Sequence, residues 1–313
     1  MTKVFFATDI HGSDICWKKF INAGKFYEAD VLVLGGDMTG KAIVPIVRLN
    51  DQSHRASLLE QEFDLHSEEE VQEFEKRVRS RGYYPYRTTP EEITELDRNP
   101  EQVEGVFRSE VIKTLERWVN FAENRLKDNH IRCYVCPGND DMPLVDEIIR
   151  SSTCVHLAEG EVIDLDRHHQ MISSGWSNIT PWHTYREEPE DALRERYASM
   201  ITALREPRLS IFNIHVPPFG SMLDDAPELD ESLRPKYAGN ALHPVGSRSL
   251  REAIEKHKPL LGLHGHIHES RGAIRIGNTL CINPGSMYEQ GSLLGALIQL
   301  GHNKIDHYVL TSG

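Results

Sequence analysis

Five short polar clusters punctuate the chain. They are Asp9-Ile10-His11, Gly35-Gly36-Asp37, Gly138-Asn139, His215 and His266-Ile267-His268. In extended chain, residues i and i+2 share a face, so Asp9 and His11 can reach one ion together, as can His266 and His268. The glycines before Asp37 allow close backbone approach. Asp, His and Asn together suit Mn, Fe, Zn and similar ions better than calcium. Seven donors exceed what one tetrahedral zinc takes. They suit two ions about 3.5–4 Å apart, with Asp37 the natural bridging carboxylate.

Each cluster follows an apolar run. The runs are Val4–Ala7, Val31–Leu34, Ile131–Cys136, Leu209–Ile214 and Leu260–Leu263. Such runs read as buried central strands. Ligand sites of α/β sheets gather at the C-terminal strand ends, so the five clusters are expected on one rim. Further strands are expected at Glu161–Leu165, Gln170–Ser173, Ala273–Ile276, Thr279–Ile282, Leu293–Leu300 and Ile305–Leu310. Asn99-Pro100 is a helix start, and apolar residues recur at helical spacing from Val103 to Leu126. The segment from about Leu49 to Asp97 differs in composition and reads as an inserted helical cap within a single domain spanning 1–313. Cys133 and Cys136 lie three apart in a strand, hence on opposite faces, and read as buried thiols rather than as a chelating pair.

The blocks in order resemble the calcineurin-like metallophosphoesterase superfamily, with its signature D-x-H, G-D, G-N-H-[DE], a lone His, and G-H-x-H. Here these read Asp9-Ile10-His11, Gly36-Asp37, Gly138-Asn139-Asp140-Asp141, His215 and Gly265-His266-Ile267-His268, with Asn283-Pro284-Gly285-Ser286 after them. The match runs from residue 4 to about 288. The resemblance implies a four-layer α-β-β-α sandwich of two mixed sheets, here with a helical insertion. It implies two divalent ions, with Mn2+ foremost and Fe, Zn, Ni or Mg compatible. One site would use Asp9, His11, Asp37 and His268, and the other Asp37, Asn139, His215 and His266. It also implies hydrolysis of a small phosphorylated substrate by a metal-bridging hydroxide.

One position departs from the pattern. Asp140 stands where the family has His. An ionised Asp140 would repel a phosphate dianion and could not donate a proton, so a phosphodiester, with a single negative charge, is the expected substrate. Asn139, Asp140 and Asp141 are the candidate catalytic residues, and Asp141 is also a candidate cap for a helix near Met142–Arg150. The loop Ser173–Thr184 resembles an active-site loop of prokaryotic members. It offers Asn178, Thr180 and His183 as substrate contacts, and Trp176 and Trp182 as stacking platforms. The alternatives are a phosphomonoesterase or protein phosphatase, and a non-catalytic scaffold of the same fold.

Bulk properties bound these readings. The formal charge of −13 argues against non-specific nucleic-acid binding but permits a local basic pocket. No run approaches the roughly 18 apolar residues of a membrane span. Five scattered cysteines give no disulfide framework, and a cytoplasmic protein is expected.

Overall fold

The computed structural model describes residues 1–230, 232–239 and 241–313. Two six-stranded mixed sheets form its centre. The first runs Ile305–Ser312, Leu294–Leu300, Thr2–Ala7, Val31–Leu34, Arg132–Val135, Val155–Leu157. The second runs Gly272–Ile276, Thr279–Asn283, Leu261–Leu263, Ile211–Ile214, Gln170–Ser174, Val162–Asp164. Thr2–Ala7, Val31–Leu34, Arg132–Val135 and Val155–Leu157 run parallel in the first sheet, as do Gln170–Ser174, Ile211–Ile214, Leu261–Leu263 and Thr279–Asn283 in the second, so in each sheet the polar clusters leave from the same end.

Alternation along the strands sorts residues into layers. Val4, Phe6, Val31 and Val33 pack against Met171, Ile211, Leu263 and Ile282 between the sheets. Phe5, Ala7, Leu32 and Leu34 face outward, against Trp17, Phe20, Leu115 and Trp118 of helices Asp14–Phe26 and Pro100–Leu126. Helices Glu190–Thr202 and Arg248–His257 cover the outer face of the second sheet through Leu193, Tyr197, Leu250 and Ile254. Strands buried on both faces must be apolar throughout, which explains their continuous runs. The result is the expected four-layer sandwich. Cys133 points to the helix side and Cys136 to the space between sheets, as their spacing requires. Among the described residues, no helix is long and apolar enough to cross a membrane.

The insertion differs from a purely helical cap. It is built on a four-stranded sheet, ordered Gln61–Leu65, Ser53–Leu58, Ile43–Asn50, Tyr84–Thr88. Helices Glu68–Ser80 and Pro90–Leu96 accompany it. Its own small core joins Val44, Ile46 and Leu58 to Val71, Phe74 and Val78. The strands are hard to read because their other face is solvated and Pro45 interrupts the first. Their hairpin turn, Leu59-Glu60, takes φ of 51° and 63° without the Asn or Gly that usually marks such a turn.

The insertion is tied to the main body beside the first cluster. Ser13 Oγ donates to Ser80 O at 2.7 Å, and Gly40 N donates to Tyr84 Oη at 2.7 Å. The helix 14–26 is anchored by Trp17, whose ring stacks on Trp118 at 5.0 Å and whose Nε1 donates to Trp118 O at 3.0 Å. Replacing this fully buried ring leaves a cavity and removes one hydrogen bond. Trp17→Ala is expected to lower unfolding free energy by about 3–5 kcal/mol in denaturant titration. A loss below about 1 kcal/mol would show that the helix is held elsewhere.

Candidate metal centre

Asp9 and His11 follow the strand Thr2–Ala7, and Asp37 follows Val31–Leu34. Asn139 sits in the loop after Arg132–Val135, His215 directly follows Ile211–Ile214, and His266 and His268 follow Leu261–Leu263. The seven side chains meet at the shared rim of the two sheets. Asp9, His11 and His268 form one group, and Asp37, His215 and His266 a second. A third, His11 with Asp37 and Asp140, overlaps both. Within each group the candidate ligand atoms lie within 4.8 Å of one another.

Distances across the centre fit donors that share an ion. His11 Nε2 lies 3.0 Å from His268 Nε2 and 3.6 Å from Asp37 Oδ2. His268 Nε2 lies 3.3 Å from Asp9 Oδ1, and His215 Nε2 lies 3.3 Å from Asp37 Oδ2. Asn139 Oδ1 lies 2.7 Å from His266 Nδ1. Donors each about 2.0–2.2 Å from one ion necessarily stand about 3 Å apart. His215 Nδ1 faces Gly35 O at 3.0 Å and donates there, which turns Nε2 inward. That Nε2 is buried with no hydrogen-bond partner, and a cation is the group that would satisfy it.

The backbone around these residues is strained. Asp9, His11, Asp37 and His266 all take left-handed conformations, with φ between 36° and 66°. Such residues cost about 1–3 kcal/mol each and persist where surrounding bonds over-determine them. Asp141 supplies several of those bonds. Its carboxylate accepts from Met38 N, Thr39 N, Thr39 Oγ1 and Gly138 N at 2.6–2.9 Å. Gly138 also lets the loop press against Asp37, since a Cβ there would overlap the Asp37 carboxylate. Asn283 Nδ2 reaches Leu223 O, Gly265 O and Ile267 O, and Ser286 Oγ donates to Asp9 O at 2.6 Å.

Electrostatics follow from burial and from the crowding of opposite charges. Burial would raise Asp37, but the facing His215 holds it well below the usual carboxylate range. Asp9 is likewise lowered by His215 and His268 against its burial. Burial disfavours the charged form of His215, yet Asp37 and Asp9 push it up to about 9. His11 falls to about 3 and His266 to about 4, chiefly because they are buried.

Several expected residues play different parts. Asp141 is fully buried, and both its oxygens serve the Asp37 and Gly138 loops, so it positions rather than reacts. Nor does it cap the next helix, Leu144–Arg150, which follows Pro143 without a side-chain cap. Asn178 and Thr180 line the cavity above the centre, whereas exposed His183 is absent from its wall. The Thr180 hydroxyl is engaged by Glu187 Oε1 at 2.6 Å. Trp182 lines the cavity, but Trp176 lies under Arg196, 4.4 Å from its ring centre.

Asp140, expected to repel a phosphate dianion when ionised, has a cationic partner. Lys41 Nζ lies 2.8 Å from Asp140 Oδ2 and lines the same cavity. Burial and the nearby Asp37 push Asp140 up to about 6, against the pull of Lys41. Sequence reasoning missed Lys41 because it has no motif neighbour. Also missed was the relay in which Glu187 Oε1 accepts from Thr184 Oγ1, which accepts from Asn139 Nδ2 at 2.9 Å. It aims the Asn139 amide oxygen at the centre.

No family model matches the chain. An uncharacterized protein of Methanocaldococcus jannaschii, MJ1162, is 30% identical over 152 residues, which cover 47% of this chain and 61% of that protein. The chain thus spans less than two thirds of the curated relative it matches. The solved structure of TT1561 of Thermus thermophilus superimposes with a TM-score of 0.54 and 13% identity, over 100% of this chain and 98% of that one. Another solved chain reaches 0.57 at 17% identity, over 99% and 98%. At such identities the likeness speaks for the fold alone. That fold, two mixed sheets between helices, is the one of the calcineurin-like metallophosphoesterases.

The raised His215 value has a consequence for metal uptake. Its proton is held up to about pH 9 in the metal-free centre and must leave when an ion takes Nε2. Affinity for Mn2+ is therefore expected to rise with pH, by about tenfold per unit between about pH 6.5 and 8.5, with proton release in calorimetry. The same shift stabilises the metal-free fold below the ordinary 6.5 and is lost as pH climbs through about 9. Affinity that is flat across this range would mean that His215 is not a ligand.

Proposed function

We propose that this chain is a metal-dependent phosphoesterase that prefers phosphodiesters. The observation that carries the reading is the buried, strained floor of Asp9 and Asp37, with His11, His268, His215, His266 and Asn139 converging above it. Buried carboxylates this close together need cations, and the surrounding nitrogens and the amide oxygen are donors that such cations accept. We assign Asp9, His11, Asp37 and His268 to one ion and Asp37, Asn139, His215 and His266 to the other. When bound, two divalent ions supply the positive charge that holds the phosphate and an activated water as nucleophile.

The chain's own residues shape what happens around that charge. Asp37 is held by Asp140 N, which donates to its Oδ1 at 3.0 Å, and the Glu187–Thr184–Asn139 relay holds the amide. Asp140, at the motif position of the family's histidine, and Lys41 both line the cavity. Their ion pair is close to neutral as a unit, so it offers little extra charge for the second negative charge of a monoester. A diester needs no such compensation. Lys41 thus relieves the repulsion that Asp140 would otherwise impose, and a modest diester preference is retained. The phosphomonoesterase alternative rests on Lys41 engaging phosphate directly.

Purified protein with added Mn2+ is expected to hydrolyse bis(4-nitrophenyl) phosphate faster than 4-nitrophenyl phosphate, with loss of activity in chelator. Asp37→Asn should reduce diester turnover by at least about a hundredfold, as expected for removal of a ligand shared by two ions. Protein that neither binds metal nor hydrolyses either ester would favour the scaffold alternative. Lys41→Met should lower diester kcat/KM by about tenfold by exposing substrate to an unpaired Asp140. Adding Asp140→Asn to Lys41→Met should restore most of it. Failure of that rescue would show that Lys41 acts on substrate and not on Asp140.

A further inference from the structure

The cavity above the centre measures about 1060 Å³. That is large for a phosphate group and of the size that takes a whole small molecule. Its floor is polar, with Lys41, Asn139 and Asp140 beside the candidate ligands. Its walls are not. Ile179, Trp182, Tyr185 and Leu233 line it, and all four are exposed large apolar side chains, at 51%, 60%, 48% and 44%. Apolar residues gathered around one concave site mark a binding surface, whereas scattered ones need no explanation.

The aromatic wall is held in place. Glu187 accepts from Thr180 N, Thr180 Oγ1, Thr184 N and Thr184 Oγ1, all within 2.6–2.9 Å. This clamp fixes both ends of the turn that carries Trp182. Thr184 is also the residue that orients Asn139, so the wall and the centre are one hydrogen-bonded unit.

Charge narrows the choice of ligand further. Among the described residues, the lining includes one Lys or Arg, Lys41, which is already engaged by Asp140. Asp230, Glu269 and Glu228, the last paired with Lys236 at 2.6 Å, also line the cavity. A ligand with a second anionic group beyond the phosphate would meet carboxylates and no spare cation. We propose that the cavity selects a phosphodiester whose larger ester group is uncharged and aromatic or apolar, seated against Trp182 and Tyr185. The inference rests on the phosphodiesterase reading and names its substrate class.

Three measurements on Mn2+-supplemented protein test it. By calorimetry, diphenyl phosphate should bind at least about tenfold more tightly than dimethyl phosphate, as expected for burial of aromatic area. A diester with a carboxylate on each ring should lose most of that advantage. Trp182→Ala should lower the ratio of diphenyl to dimethyl phosphate affinity by most of that roughly tenfold. Trp182 is exposed, so the variant is expected to fold. Equal binding of the two plain diesters, tighter binding of the carboxylated one, or an unchanged ratio in Trp182→Ala would each overturn the proposal. Preferential binding of diphenyl phosphate with no hydrolysis of any ester would sink the phosphoesterase reading and leave this selectivity standing.

Discussion

Two carboxylates buried side by side dominate the energetics of this molecule. Asp9 and Asp37 are almost wholly out of water, and each faces the same imidazoles. Charges taken out of water cost several kcal/mol each unless partners repay it. In the metal-free protein a protonated His215 offsets part of that cost. His11 Nε2 and His268 Nε2 point at the same small volume, as does His215 Nε2. Such a floor is what the proposed cations would stabilise.

The surrounding structure can be understood as the means of holding that floor. Parallel central strands bring their C-terminal ends to one rim, and the loops beyond them take left-handed turns to aim short side chains inward. The strain is borne by side chains that bond to backbone. Asp141 secures the Asp37 and Gly138 loops, Asn283 the 265–267 loop, and Ser286 the Asp9 carbonyl. Arg186 adds a further brace, donating to Asp141 O and Met142 O while paired with Asp146. Apart from Ser286, which bonds Asp9 itself, these braces act on the candidate ligands through neighbouring backbone.

The insertion contributes at the edge of the site. It begins just after Lys41, whose ammonium modifies the charge at Asp140. Its sheet has a separate core and one solvated face, so it can vary without disturbing the central sandwich. On the other flank, the 178–185 turn supplies aromatic surface. On the proposed reading the chemistry sits on strand ends and the selectivity on loops, as is common when one fold serves many substrates.

Sequence alone determined the central strands, the long helix 100–126 and the seven candidate ligands, because each leaves a local mark. A strand buried on both faces must be a continuous apolar run, and a ligand pair such as Asp9 and His11 must keep a spacing its backbone can use. The insertion's strands escaped because half-solvated strands need few apolar residues, and because the turn at Leu59-Glu60 uses left-handed backbone without glycine. Lys41 meeting Asp140, Thr184 meeting Asn139, and Asp141 turning from the cavity to the backbone were decided only in three dimensions. Lys41 and Asp140 lie 99 positions apart in the chain, and no local pattern records a contact between residues so distant. What a side chain touches across loops depends on how the sheets bring their ends together, and that is a property of packing.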